Sequence, residues 1–396
     1  MNPNMNQSLT GGRVAAIDIL RGMIMLLMTV DHVRETFYLQ HQVGDPMDAA
    51  GTPPALFFTR LAAHFCAPLF VFLTGLAAWL YAHPPGGQRS ATGFLLKRGA
   101  LLLLLELLVI NFAWFGKWPG PVLYLQVIWA IGLSMIALAS LHRLPLRWLA
   151  AVGALIVAGH NALPTTAQLA AAFGGSFEPG GAGAMLWTVL EQRGYLVNDG
   201  PVRVRVSYPV LAWIGVILLG YAAGPLYARA MAPQHRARLL LGAGCAALAA
   251  LLVLRGFNLY GEAQPWAQGA DALHSVMSFL NFTKYPPSLD FLLLTLGTGL
   301  LVLALLELPA GQAARAWTQV CAVFGGAPLF YYLLHLYALL ALQRAAAALH
   351  QQGRHEFNAV WQIWLASALL AVLLYLPTRW FGRVKRSSGI AWLKYF

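Results

Sequence analysis

Apolar runs of about 20 residues recur along the whole chain, and nothing else in the sequence constrains the fold as strongly. A run of that length is what an α-helix needs to cross the hydrocarbon core of a bilayer. We place ten such runs, at 14–33, 60–81, 98–116, 122–141, 147–163, 208–227, 237–255, 286–306, 317–343 and 357–381. In the ninth, Gly325, Gly326 and Pro328 can split the helix. The composition agrees: 59% of the 396 residues are hydrophobic and 10% charged, against about 25% charged in a typical soluble domain. The expectation is an all-α polytopic membrane protein, with 14–381 as the transmembrane domain between short cytoplasmic segments at 1–13 and 382–396. The first run is too long for a cleaved signal peptide, and no small-residue cleavage site follows it. No soluble domain, low-complexity tail or internal repeat stands out. Cys66, Cys245 and Cys321 lie singly in apolar runs, with neither metal spacing nor a disulfide framework.

With the N-terminus in the cytoplasm and the runs alternating, 15 of the 26 Lys and Arg fall on inner segments, ten on outer ones, and Arg21 within the first span. That is the positive-inside pattern. Ten of the 14 acidic residues fall on the outside. The net charge of +12 therefore belongs to the inner face. It suits anionic lipid, or a polyphosphate ligand arriving from the cytoplasm. Nucleic acid is not implied, because no basic stretch is interleaved with aromatics on a soluble module. The long outer segments, 34–59, 164–207 and 256–285, are candidates for an acceptor-binding roof.

The first run carries more ionisable groups than a membrane helix tolerates without a reason: Asp18 and Arg21 before its centre, Asp31, His32 and Arg34 after it. Arg21 and His32 are eleven residues apart, about three turns, so they share one face roughly 16 Å apart along the axis. Asp18 lies on nearly the same face, one turn below Arg21. Snorkelling explains Arg21 most simply, an interface cap explains Asp31 and Arg34, and a satisfied core histidine explains His32. Chemistry is the other reading of His32, since histidine suits proton movement near neutral pH.

Other runs add polar groups at similar depth. His64 opens the second, Glu106 and Asn111 sit in the third, and Tyr331, Tyr332 and His335 lie in the ninth. Asn281, Lys284 and Tyr285 lie just before the eighth, and Ser288 and Asp290 at its opening. Each alone reads as a helix-pinning hydrogen bond or an aromatic belt. Together they point to a buried polar cavity opening outward. No zinc motif, Gly-rich phosphate loop, nucleophile elbow or Ser-x-x-Lys signature is present, so no metal is expected and histidine base chemistry is the best enzymatic candidate. A transport reading makes Glu106, His335 and Asp31 a proton relay.

The segments IDILRG, DHVRE, HFCAPLFVFLTG, YLQVIWAIGLSMI, YPVLAWIGVILLGY, LNFTKYPPSLDFLLLTLG and FGGAPLFYYLLHL, in that order over residues 13–385, resemble the bacterial heparan-α-glucosaminide N-acetyltransferase-like family. Arg21 and His32 also look like the Arg-x10-His motif of wider transmembrane acyltransferases. The resemblance implies an integral protein of the bacterial cytoplasmic membrane. It implies transfer of an acetyl group from cytoplasmic acetyl-CoA to a hydroxyl or amine of a sugar on the far side. It places the catalytic histidine at His32, with Asp31 beside it, or alternatively at His41 in YLQHQVGD. Arg21 and Asp18, with Arg98, Arg147 and Arg238 of the basic inner face, become the donor-binding candidates. His64, Glu106, Asn281, Lys284, Tyr285 and His335 become the acceptor or cavity candidates. A homodimer is plausible for such a bundle.

Overall fold

The computed structural model of the protein describes residues 15–38, 43–308, 311–349 and 356–396. The chain opens with α1 (Ala15–Phe37), then α2 (Pro54–Ala63) and α3 (Cys66–Ala82). Next, α4 (Thr92–Leu104) passes through a π-helical turn (Leu105–Ile110) into α5 (Asn111–Phe115). Strand β1 (Val122–Leu125) leads into α6 (Val127–Leu141), followed by α7 (Leu146–Gly159), α8 (Thr166–Phe173) and α9 (Ala182–Leu190). Strands β2 (Gly194–Val197) and β3 (Arg203–Val206) precede α10 (Leu211–Ala222), α11 (Pro233–Gly256), α12 (Ala272–Phe279) and α13 (Leu289–Leu306). The chain ends with α14 (Gln312–Gly326), α15 (Pro328–Leu349) and α16 (Val360–Ser387).

The described residues fold as an all-α bundle in which several of the ten expected runs are shorter or broken helices. Among the described residues, five helical spans are long and apolar enough to cross a membrane: α2 with α3, then α11, α13, α15 and α16. A sixth arises if α7 and α8, bent by 77°, are taken as one. The 23-residue α1 is long enough to cross but more charged than these, because every 18-residue window of it holds at least three of Asp18, Arg21, Asp31, Arg34 and Glu35. The expected run 122–141 begins as a strand, and 208–227 contains only the short helix α10 and a 3₁₀ turn, Gly224–Tyr227. Proline sets two of the breaks. Pro68 lies in the first turn of α3, where its ring clashes with a continuous helix, and His64 and Phe65 fall between α2 and α3. Pro328 bars Ala327 from the helical region, and Ala327 takes φ −140° and ψ 56° between α14 and α15. The ninth run is thus two helices, and α16 continues past the expected boundary at 381.

Close backbone approach fixes the packing around α1. A Cβ on Gly22 would overlap Cys321 O on α14, and one on Gly325 would overlap Asp18 O on α1. Glycine therefore lets α1 and α14 touch, as small residues do in membrane bundles. On its other sides α1 meets α3, α15 and α16. At the far end of α1 a three-stranded sheet of order β1-β3-β2 forms, with β1 parallel and β2 antiparallel to β3. This sheet lies in and beside the long segment 164–207 and helps build one end of a central cavity.

Candidate active site

The cavity has a volume of about 1050 Å³ and runs beside α1 from Arg21 to His32 and beyond. His32 lies on its wall, 8% exposed. Behind it, on α15, stands His335, with His32 Nδ1 2.7 Å from His335 Nε2. The rings are nearly parallel, 6° apart. His335 Nδ1 lies 2.8 Å from the carbonyl oxygen of Tyr331. A carbonyl only accepts, so His335 Nδ1 donates there and the neutral ring offers Nε2 as an acceptor. His32 Nδ1 must then donate to it. The remaining nitrogen of a neutral His32, Nε2, carries a lone pair. Trp114 and Tyr332 pack edge-on against the His32 ring at 5.3 and 5.8 Å. Both line the cavity, and their Nε1 and Oη atoms are buried without a hydrogen-bond partner among the described residues.

Asp31, the neighbour of His32, is spoken for. Its carboxylate accepts from Arg34 Nε and Nη2 at 3.1 and 2.9 Å, and from Arg60 Nη1 at 3.0 and 2.9 Å. The three groups are buried together. This is a tie between α1 and α2, not the interface cap expected for Asp31 and Arg34, and it holds Asp31 between two arginines at the cavity wall. Around this tie, toward the sheet, the wall adds Asp45, Arg193, Arg205, Tyr208, Lys284 and Tyr285. Burial pushes the Asp45 carboxyl up from its usual range, although its Oδ1 accepts from Lys284 N at 3.0 Å. The hydroxyls of Tyr208 and Tyr285 are 3.1 Å apart. The segments expected to form a roof thus supply this end.

At the other end, toward the start of α1, Arg21, Arg89, Arg98 and Lys385 line the wall with Tyr81 and Phe94. Arg21 donates through Nη2 to Leu73 O at 3.0 Å and faces Asp18 Oδ1 at 3.4 Å. Asp18 supports Arg21 without itself lining the cavity. Arg98 Nε is buried with no hydrogen-bond partner among the described residues. Tyr81 and Phe94 stack at 4.0 Å, with the Arg89 guanidinium 3.6 Å over Tyr81.

Several expected residues lie elsewhere. His64 is buried against Phe291 of α13 and does not line the cavity. Glu106 accepts from Trp129 N at 3.1 Å, so it caps the first turn of α6 and does not face the cavity. Asn281 exchanges two hydrogen bonds with the backbone of Met47, at 2.6 and 2.9 Å, and clamps a loop. His335 touches His32 from behind and does not line the cavity. Arg147 and Arg238 are exposed and contribute nothing to its wall. His41 lies outside the described residues. Among the described residues no group of three His, Cys, Asp or Glu is placed to hold a metal ion.

The sequence reading missed Arg60, Arg89, Arg193, Arg205, Trp114, Tyr208 and Lys385. One signal was available: RVRV at 203–206 alternates with period two, which marks a strand presenting Arg203 and Arg205 on one face.

The arrangement is a chamber in a helical bundle with one buried, hydrogen-bonded histidine on its wall. The catalytic-domain profile of heparan-alpha-glucosaminide N-acetyltransferase matches residues 13–256. The chain belongs to that family of transmembrane acetyltransferases. No curated protein matches it. The matched region contains His32, Arg60 and Arg98; His335 and Lys284 lie beyond it.

Proposed function

We propose that the protein transfers an acetyl group from acetyl-CoA to a hydroxyl or amine of a sugar, with His32 Nε2 as the base. The observation that carries this is the ordered chain from Tyr331 O through His335 to His32, which fixes a lone pair on the remaining nitrogen of a cavity-wall histidine. The acceptor O–H or N–H gives its proton to Nε2 as its heteroatom attacks the thioester carbonyl carbon. The C–S bond breaks, and the proton passes to the departing thiolate. Trp114 Nε1 and Tyr332 Oη, two donors without partners among the described residues on side chains packed against the His32 ring, are suited to the oxygen that gains charge in that step.

The end lined by Arg21, Arg89, Arg98 and Lys385 suits the phosphates of the donor, and the Tyr81–Phe94 stack suits its adenine. The excess of basic residues on that side of the bundle supports a cytoplasmic donor entering there, in a bacterial inner membrane. The sugar then enters from the sheet end. A proton-coupled transporter would need a connected relay. Its proposed members are separated, with Asp31 locked between two arginines and Glu106 capping α6.

Purified protein in lipid nanodiscs, given radiolabelled acetyl-CoA and a panel of sugars, tests the reading. His32→Ala should lower kcat by about 10²–10⁴-fold with the protein still folded. Arg98→Ala should raise KM for acetyl-CoA about tenfold at nearly constant kcat. Full turnover by folded His32→Ala would remove His32 from the mechanism.

A further inference from the structure

From Ala162 to Leu190 the chain carries one charged residue, Glu178. Such a stretch would ordinarily be packed inside a fold. Here it is open: α8 buries no residue, and α9 buries Ala184 alone. Phe173 is 74% exposed and Leu186 59%, and Leu163 and Met185 are exposed with them. The polar groups of the unit turn toward one another instead. Thr165 and Gln168 form a capping box at the start of α8. Thr166 donates to the Gln192 side chain from its N–H at 2.8 Å and also from its hydroxyl. Trp187 Nε1 donates to Pro164 O at 3.0 Å and ties α9 back to the entry of α8. Polar groups satisfied within and apolar groups turned out is the reverse of a water-facing helix pair, and it is the arrangement that lipid requires.

Depth points the same way. At the start of α7 the Arg147 guanidinium lies 5.9 Å from the ring centroid of Trp148, and both side chains are exposed. Arg and Trp together mark a membrane interface. From there the 14 residues of α7 rise about 21 Å. The 3₁₀ turn His160–Ala162 adds about 6 Å. The sum approaches the roughly 30 Å of the hydrocarbon core. At that level the chain bends by 77° into α8. Helix α8 therefore runs across the bundle at the far boundary of the hydrocarbon. Together α7 and α8 are apolar enough for a membrane span, and the bend keeps α8 from extending it outward.

The exposed apolar surface also continues onto neighbouring elements. Leu155 of α7 is exposed, as are Phe257 and Leu259 after α11. Tyr260 joins the two by donating from its hydroxyl to Ala158 O at 2.6 Å. Helix α11 is itself long and apolar enough to cross the membrane. A second copy of the chain is the other possible cover for this face. The depth of α8 and the continuity with α7 and α11 favour lipid.

We infer that α8 and α9 form an interfacial platform embedded in the leaflet opposite Arg147, with Phe173 and Leu186 among the acyl chains. Part of the segment 164–207 is then an anchor and not a roof. Because α9 leads directly into β2, the platform holds the sheet end of the cavity at the level of the lipid headgroups. The inference does not rest on the acetyl-transfer reading.

The experiment is site-directed photocrosslinking of the full chain in nanodiscs of phosphatidylethanolamine and phosphatidylglycerol. Phe173 and Leu186 are replaced one at a time by p-benzoylphenylalanine, and irradiated samples are read by intact mass and by denaturing gel. Exposed Leu252 of α11 is the lipid-facing control, and exposed Asp199, between β2 and β3, the water-facing one. Both test positions should gain the mass of one phospholipid, in yield comparable with Leu252 and well above Asp199. A crosslinked dimer at these positions would put a second copy on the face and overturn the platform. So would the absence of any adduct at both while Leu252 gives one, which would put α8 and α9 in water.

Discussion

On α1 the ring of His32 borders the cavity, supported from behind by His335 and left with one nitrogen unclaimed. On the helix made by α4, its π-turn and α5, the Glu106 carboxylate is fully buried and capping the first turn of α6. Both are ionisable groups in apolar runs, and both look functional for the same reason, the cost of placing them in a membrane. What separates them is whether they reach open space: His32 lines the cavity and Glu106 does not. Glu106 sits where a helix N-terminus needs an acceptor. His32 sits where two helices hold one side of its ring and leave the other to a chamber.

Breaking the contrast at the His32 end should give the larger effects. Tyr332→Phe removes a donor beside the reacting atoms and should lower kcat by about 10²-fold while KM values hold. A proportional rise in KM instead would make Tyr332 a binding group. His335→Ala frees His32 Nδ1 and its ring orientation, and kcat should fall about 10–100-fold. The pH–rate profile should move with it, because the tautomer is no longer set. A fall in melting temperature with an unchanged profile would reduce His335 to packing. Glu106→Gln should do least: its side-chain oxygen still accepts from Trp129 N, so kcat should stay within about twofold. If that variant folds and loses turnover, the contrast fails, and Glu106 belongs to the chemistry.

Much of the fold could be read from the chain. The apolar runs gave the membrane-embedded helical class, the glycines and Pro328 marked the break in the ninth run, and the spacing of Arg21 and His32 put both on one cavity wall. The seven ordered segments led to the family that the profile match then established. These signals are local, set by periodicity, backbone restriction and helical geometry. Partnership was not legible. Nothing in DHVRE says that Asp31 is held by Arg60 from α2 and so is structural. Nothing in the apolar run around Glu106 says that α6 begins beside it. Arg147 and Arg98 read alike as basic residues at helix starts, yet one is exposed and the other lines the chamber.

The sequence by itself determined where helices form, where they must break, and that His32 and Arg21 lie on the same stripe, because those follow from bonds and sterics within a few residues. The tertiary structure alone decided which buried polar groups are spent on one another and which are left facing the cavity. Hydrogen bonds and ion pairs are satisfied by whatever lies within about 3 Å in space, and across 303 residues from His32 to His335 only the packed bundle brings that neighbour into place.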